Sequence, residues 1–282
     1  MYSKAYVEIT NICNMRCSFC HGTKRAPRQM TLGEFARVVN SLQGVTKYLY
    51  LHVLGEPLTH PMLPTFIEYA TNNGFKVVIT TNGTLLEKCG DSLIRAGAYK
   101  VNISLHSFEK QNSYEQQKKY IDSCINFAQK ASEQGVLCIL RLWNKTNNEN
   151  APENALNEYT MQILHERFPN DWSVSVRGAR IHDKLHLEYG NRFEWPDANI
   201  DSLGEKVFCH GLSDQFAILC DGTVTPCCLD AEGDIALGNI FESDIRTILA
   251  SDRAIAIKQG FSKKTAVENL CRRCGYARRF KI

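Results

Sequence analysis

The sequence predicts an α/β protein: six βα-type units forming an open barrel or a doubly wound sheet, followed by a smaller second unit. Three observations carry this. From residue 4 to about residue 142, short β-rich runs alternate with amphipathic stretches of helical length, the pattern of parallel strands joined by helical crossovers. After about residue 196 the spacing changes to that of a hairpin followed by a helix. Twelve cysteines in 282 residues include one group in the first loop and another spread across the C-terminal region.

The expected strands are Ala5 to Thr10, Tyr48 to Val53, Lys76 to Thr81, Lys100 to Leu105 and Val136 to Leu142, with a sixth at Ser173 to Arg177. Thr31-x-x-Glu34 is a capping box that starts the first helix, and Gly74 and Gly97 are helix stops. The charged run from Tyr114 to Gln134 predicts a long surface helix. Residues 144 to 157, Asn-rich and containing Pro152, predict a loop before a helix over Leu156 to Phe168. In the second unit, Phe216 to Cys220, the turn Asp221-Gly222 and Thr223 to Cys228 read as a hairpin, and Asp244 to Lys258 as one helix. The division falls between residues 1–196 and 197–282.

Composition excludes several classes. A net charge of +3 with 22% charged residues gives no overall pull toward nucleic acid or a membrane surface. No apolar run reaches the length of a membrane helix, mean hydropathy is -0.28, and MYSKAYVEIT lacks the pattern of a signal peptide, so the expectation is a cytoplasmic protein. In that compartment twelve cysteines imply metal or redox chemistry, not a disulfide framework.

Cys13, Cys17 and Cys20 form C-x3-C-x2-C directly after the first strand, at the end of a parallel sheet where ligands bind. Three thiolates suit a four-iron cluster with one open iron. They equally suit a zinc site completed by His21. The flanking residues separate these readings. Cys13-x3-Cys17-Ser18-Phe19-Cys20 resembles the radical S-adenosylmethionine (SAM) superfamily, including the aromatic residue before the third cysteine. Gly55-Glu56-Pro57 resembles that family's GGEP element, with Leu54 in place of the first glycine. Thr80 to Gly83 with Asn82, then Ser104, His106 and Arg141, stand where the family holds the ribose and carboxylate of SAM. The resemblance therefore implies a partial (β/α)6 radical SAM barrel and SAM contacts at Phe19, Gly55, Glu56, Pro57, Thr80, Asn82, Ser104, His106 and Arg141. An Arg fork can bond a carboxylate bidentately.

Cys209, Cys227, Cys271 and Cys274 supply four ligands, enough to close a site, and a zinc ribbon shares this C-x2-C grammar. Their spacing, with Leu237-Gly238-Asn239-Ile240 between the halves, resembles the shortened SPASM module called twitch, a small α+β domain with one auxiliary 4Fe-4S cluster. Pairing of a radical SAM core with a twitch is similar to aminocyclitol radical SAM dehydrogenases. Of the other cysteines, Cys89, Cys124 and Cys138 read as small buried residues. Cys220 and Cys228 flank the hairpin, and the resemblance makes them candidate hydrogen-atom donors.

The family cleaves SAM to a 5'-deoxyadenosyl radical that abstracts a substrate hydrogen. The resemblance thus implies two 4Fe-4S clusters, SAM, and an external electron donor of flavodoxin or ferredoxin type. The leading expectation is an oxidoreductase, a dehydrogenase of a small polar metabolite such as a sugar or aminocyclitol. Cysteines beginning at residue 13 leave no room for an upstream peptide-recognition domain, which favours a small molecule. The alternatives are an epimerase or crosslinking enzyme acting on a ribosomal peptide, and a non-catalytic zinc module binding RNA or protein. For a peptide, the acid-free tail Arg272, Arg273, Arg278, Arg279 and Lys281 offers charge for an acidic leader.

Overall fold

A computed structural model describes residues 1–108, 113–145, 155–191 and 194–280. The N-terminal part alternates β1 (Lys4–Val7), α1 (Leu32–Ser41), β2 (Tyr48–Tyr50), α2 (Leu63–Asn72), β3 (Lys76–Thr81), α3 (Leu86–Arg95), β4 (Lys100–Ser104), α4 (Tyr114–Glu133), β5 (Leu137–Lys145) and α5 (Ala155–Arg167). A hairpin of β6 (Ser173–Ser175) and β7 (Gly178–His182) leads into β8 (Leu185–Asn191). Then come β9 (Gln215–Ile218), β10 (Thr223–Thr225), β11 (Gly238–Asn239), α6 (Ile245–Leu249) and α7 (Asp252–Ser262).

The eleven strands among the described residues join one sheet in the order β11-β10-β9-β1-β2-β3-β4-β5-β8-β7-β6. From β9 through β1, β2, β3, β4 and β5 to β8 every neighbour pair is parallel. The mixed α/β architecture with a parallel core is thus the one expected. Both edges are antiparallel.

The helices start and stop for local reasons. Thr31 Oγ1 accepts the Glu34 N–H at 3.2 Å while the Glu34 carboxylate accepts the Thr31 N–H at 2.8 Å, a reciprocal cap worth about 1 kcal/mol. Ser113 and Gln116 repeat that device on α4. Gly74 and Gly97 follow α2 and α3 at φ of +83°, a conformation that favours glycine. Phe35 on α1 stacks on Phe66 on α2 at 4.3 Å, and both are fully buried beside Val38, Leu49 and Ile67. No helix among the described residues is long and apolar enough to cross a membrane.

Several expectations need correction. The sixth parallel strand is β8, not Ser173 to Arg177. Cys138 to Leu142 pair in register with Leu185 to Tyr189, whereas β6 is an exposed antiparallel edge. The short β-rich run at 173–177 looked like a core strand because its composition fits, yet all three residues of β6 are exposed. The expected helix Asp244 to Lys258 is two, because Asp244 and Ser251 each cap a start and Ala250 ends the first. Of the loop expected over 144–157, residues 146–154, with Pro152, lie outside the described residues.

Candidate functional site

In a sheet buried on both faces, strands should be apolar throughout, and departures mark the lining of a cavity. On one face of β1 and β2 stand Lys4, Tyr6 and Tyr50, with His52 just beyond β2. Thr80, Ser104, Arg141 and Trp143 come from β3, β4 and β5. Ser104 pairs with Arg141 in register. These side chains line a cavity of about 470 Å³, whose wall also includes Phe19, His106, Trp195, Cys209, Cys227, Cys228, Cys271 and Cys274.

Cys13, Cys17 and Cys20 lie in the loop after β1. The Met15 N–H points at the Cys13 sulfur at 3.4 Å, the Gly22 N–H at the Cys20 sulfur at 3.5 Å, and the Cys17 thiol donates to the Ser107 carbonyl at 3.6 Å. Burial pushes the Cys17 thiol up to about 11, and the neighbouring Cys13 and Cys20 push the same way. Backbone N–H groups aimed at the Cys13 and Cys20 sulfurs favour the thiolate that a cluster requires, although among the described residues no group of three or more His, Cys, Asp or Glu stands close enough together to hold a metal ion. His21, the alternative fourth ligand, packs edge-on against Trp195 at 4.5 Å.

The segment preceding Cys13 is clamped to the loop after β2. A Cβ on Gly55 (φ +74°) would meet the Thr10 carbonyl at 2.4 Å, so only glycine fits, and the Glu56 N–H donates to the Ile12 carbonyl at 2.9 Å. Glu56 is buried, and its carboxylate accepts from Leu58 N, Thr81 Oγ1 and Asn82 N at 3.0, 2.7 and 2.7 Å. Burial raises its pKa against the pull of these bonds. The Asn82 amide donates to Asn14 Oδ1 at 2.9 Å, while its carbonyl receives the Tyr120 hydroxyl at 2.6 Å. Gly55, Glu56 and Asn82 thus hold the cysteine loop against the sheet. Pro57 opens a buried one-turn helix over Pro57–Thr59. None of these four lines the cavity, unlike Phe19, Thr80, Ser104, His106 and Arg141.

Those five are held from behind. Asn102 Nδ2 donates to Thr80 Oγ1 at 3.1 Å, and the Ser104 carbonyl takes the Tyr120 hydroxyl at 3.4 Å. The Phe19 ring lies 5.1 Å from that of His106, and the Phe19 carbonyl accepts Trp195 Nε1 at 2.9 Å. His106 Nδ1 contacts the Arg141 carbonyl at 3.2 Å and stacks toward Trp143. Arg141 Nε pairs with Glu188 at 3.1 Å and its guanidinium lies 4.7 Å from the Trp143 ring centroid. A bond through Nε leaves the outer edge of the fork for a ligand.

The second cysteine set is drawn from three places: Cys209 ahead of β9, Cys227 after β10, and Cys271 with Cys274 in a C-terminal one-turn helix and its cap. Burial pushes the Cys209 thiol up to about 11, and burial raises Cys227 well above its ordinary value, with Cys209, Cys271 and Cys274 adding to it. The Gly211 N–H meets the Cys209 sulfur at 3.3 Å, and backbone N–H groups of Tyr276 and Ala277 serve Cys274. All four cysteines line the one cavity, and thiols with backbone donors are a fitting kind of ligand for an iron–sulfur cluster.

Cys220 and Cys228 prove different. Cys228 lines the cavity and bonds the Tyr6 hydroxyl, while burial pushes its thiol up to about 11. Cys220 is 1% exposed behind the cavity wall, where Arg25 Nη1 lies 3.7 Å from its sulfur. Cys124 and Cys138 are buried as expected, whereas Cys89 is only half-buried. The arginine tail is largely tied down: Arg272 pairs with Glu205 at 3.3 Å, Arg273 bonds the Ile200 carbonyl and Arg278 the Gly204 carbonyl. Lys281 lies outside the described residues.

Sequence reasoning missed the Glu8–Arg25 pair. The Glu8 carboxylate, fully buried, takes Arg25 Nη2 at 2.7 Å, Leu54 N at 3.3 Å and Cys220 N at 3.1 Å, tying β1 to the loop before Gly55 and to the end of β9. It also missed Tyr6, Tyr50 and His52. Lys4-x-Tyr6-x-Glu8 and Tyr48-x-Tyr50-x-His52 alternate at the strand period, so polar residues on one face of two central strands were a readable signal.

Comparison with known proteins gives these residues a context. A family model described as the radical SAM superfamily matches residues 7–150, and one described as an iron-sulfur cluster-binding SPASM domain matches residues 209–275. A GTP 3',8-cyclase of Chlorobaculum tepidum is 32% identical over 109 residues, covering 37% of this chain and 33% of that protein. The aligned part is thus about a third of such relatives. Among solved structures, BtrN in complex with AdoMet and 2-DOIA superposes with a TM-score of 0.60 at 17% identity over 97% of this chain and 93% of that one. Streptococcus suis SuiB bound to S-adenosylmethionine gives 0.60 at 15% identity over 98% and 72%. At these identities the likeness is one of fold.

Proposed function

The chain belongs to the radical SAM superfamily and carries a SPASM-type domain, so its cofactors are SAM and 4Fe-4S clusters; from that premise we propose that it oxidises a small polar molecule held in the cavity. We assign residues 1–196 to the core and residues 197–282 to the auxiliary-cluster region. Cys13, Cys17 and Cys20 hold the first cluster, and Cys209, Cys227, Cys271 and Cys274 the second. When bound, these groups supply a 5'-deoxyadenosyl radical for hydrogen abstraction and an acceptor for the substrate's electron.

The observation that carries the reading is the continuity of the cavity. One wall includes Thr80, Ser104, His106 and Arg141, and another includes all four cysteines of the second set. Arg141 orients the SAM carboxylate through its free fork edge, while Phe19, Trp143 and Trp195 exclude water from the reacting bond. Glu56 acts by fixing the loop that carries Cys13, because its own oxygens are occupied by protein donors. The exposed Cys13 supports reduction by an external flavodoxin- or ferredoxin-type protein. In BtrN the bound pair is AdoMet and 2-DOIA, which supports a small polar substrate here.

One observation favours a second reading. Cys228 lines the cavity with its sulfur beside Tyr6, the placement of a thiol that returns a hydrogen atom and yields an epimer. Anaerobic reconstitution should give about eight irons and eight sulfides per chain. With substrate, an oxidised product without solvent hydrogen supports oxidation. Solvent hydrogen at the reacting carbon, lost in Cys228→Ala but kept in Cys220→Ala, would replace oxidation with epimerisation.

A further inference from the structure

The end of the cavity at the start of β1 carries a charge that nothing around it answers. Tyr6, Tyr50 and Lys100 stand in one row across the sheet, Tyr6 opposite Tyr50, Tyr50 opposite Val78 and Val78 opposite Lys100. Residues two apart on a strand share a face, so Lys4 lies on the same side as that row, and so does Arg141 through its pairing with Ser104. Lys4 Nζ stands over the rings of Tyr6 and Tyr50 at 5.8 and 5.5 Å, and among the described residues the ammonium has no ion-pair or hydrogen-bond partner. The Tyr50 hydroxyl has none either, unlike that of Tyr6, which bonds Cys228. Lys4 and Tyr50 are half-buried and line the cavity, and neither polar atom is among those sealed off from it.

The surroundings define what fits there. Lys100 is half-buried and also without an ion pair among the described residues, and burial, then the cations of Arg141 and Lys4, lowers its pKa, so three cations share this face. Two carboxylates are near. Glu188 pairs with Arg141 at 3.1 Å and Asp214 accepts from the Ser3 hydroxyl, and neither comes within ion-pair distance of Lys4 or Lys100. An ammonium carries donors alone and a phenol hydroxyl beside it can add one more, so the group they meet is an acceptor, and the unanswered positive charge makes it an anion. The carboxylate of SAM is a different group. Lys4 starts β1, whereas the cysteine loop follows the other end of that strand, about 10 Å away.

We propose that Lys4 and Tyr50 form the anion-binding end of the substrate site, where the Lys4 ammonium and the Tyr50 hydroxyl hold a carboxylate or phosphate of a small substrate. This rests on the reading of the cavity as the site of a small polar substrate. The test uses the reconstituted holoenzyme with SAM and calorimetric titration of three probes that share one ring: glucose, glucuronate with a carboxylate at carbon 6, and glucose 6-phosphate. At least one anion is expected to bind at least about tenfold more tightly than glucose, and which of the two does so identifies the group. Lys4→Met should remove that preference and Lys4→Arg should keep it within about threefold, while Tyr50→Phe should weaken the anion at least about threefold and leave glucose unchanged. If Lys4→Met does not fold by circular dichroism, Tyr50→Phe decides alone. An anion bound by these variants as tightly as by the native enzyme overturns the assignment of Lys4 and Tyr50. Glucose bound at least as tightly as both anions overturns the anion site and leaves a small polar substrate standing. Binding of none of the three overturns both.

Discussion

The two cysteine regions contrast in how the chain builds them. Cys13, Cys17 and Cys20 sit within eight consecutive residues of one loop, Cys13 is exposed, and none lines the cavity. Cys209, Cys227, Cys271 and Cys274 come from segments up to sixty-five positions apart, and all four line it. A local loop with three sulfurs leaves a place open for a ligand. A convergence of distant segments closes its site and makes whatever binds there part of what holds those segments together. On the proposed reading the first region reacts, and the second holds structure and borders the substrate.

Three experiments break or sharpen that contrast. The largest effect belongs to the first region: replacing Cys13, Cys17 and Cys20 together by Ala should cut 5'-deoxyadenosine formation by at least about three orders of magnitude, since the open iron is lost. Circular dichroism should stay native, because the loop is pinned by Gly55, Glu56 and Asn82 instead of by its sulfurs. Residual SAM cleavage near the native rate would remove this region's role.

Next in size is Cys271→Ala, which should decouple two activities. SAM cleavage continues while oxidised product falls at least about tenfold, and stability drops by about 3 kcal/mol or more, a Tm loss of about 6–12 °C. Native product formation at native rate would show the second site to be structural alone. A Tm loss smaller than that of the triple variant would reverse the contrast.

The smallest effect tests the wall between them. His52 has its pKa lowered to about 3 from 6.5 by burial, so the folded state binds fewer protons than the unfolded one. Its contribution to stability is complete above pH 6.5 and is lost as pH falls toward 3. Denaturant titrations across that window should show His52→Gln with a flatter acid dependence, by up to about 1.4 kcal/mol per pH unit. Parallel slopes would mean that water reaches the ring and solvates its charge.

Much of the fold was legible because its signals are local. Five parallel strands fell where alternation placed them, with ends shifted by up to three residues. The capping box at Thr31 and the glycine stops are contained in a few adjacent residues. The first cysteine group was equally plain, since C-x3-C-x2-C is a statement of spacing. The misassigned sixth strand shows the limit. Ser173 to Arg177 and Leu185 to Asn191 are both strand-like runs, and only pairing with β5 distinguishes a core strand from an edge.

The sequence by itself determined where the first five strands and their helices fall, because propensity, caps and spacing act within one or two turns of chain. Tertiary structure alone decided that β9 lies beside β1, so the C-terminal hairpin extends the parallel sheet and brings Cys227 and Cys228 to the cavity. It also decided that Cys220 turns away to Arg25, that Glu56 spends its oxygens on Thr81 and Asn82, and that His52 Nδ1 has no hydrogen-bond partner among the described residues. Each of these depends on register between strands far apart in sequence. In a strand, a shift of one residue sends every side chain to the other face, and which residue of a distant strand then stands opposite is settled only when the two strands pair.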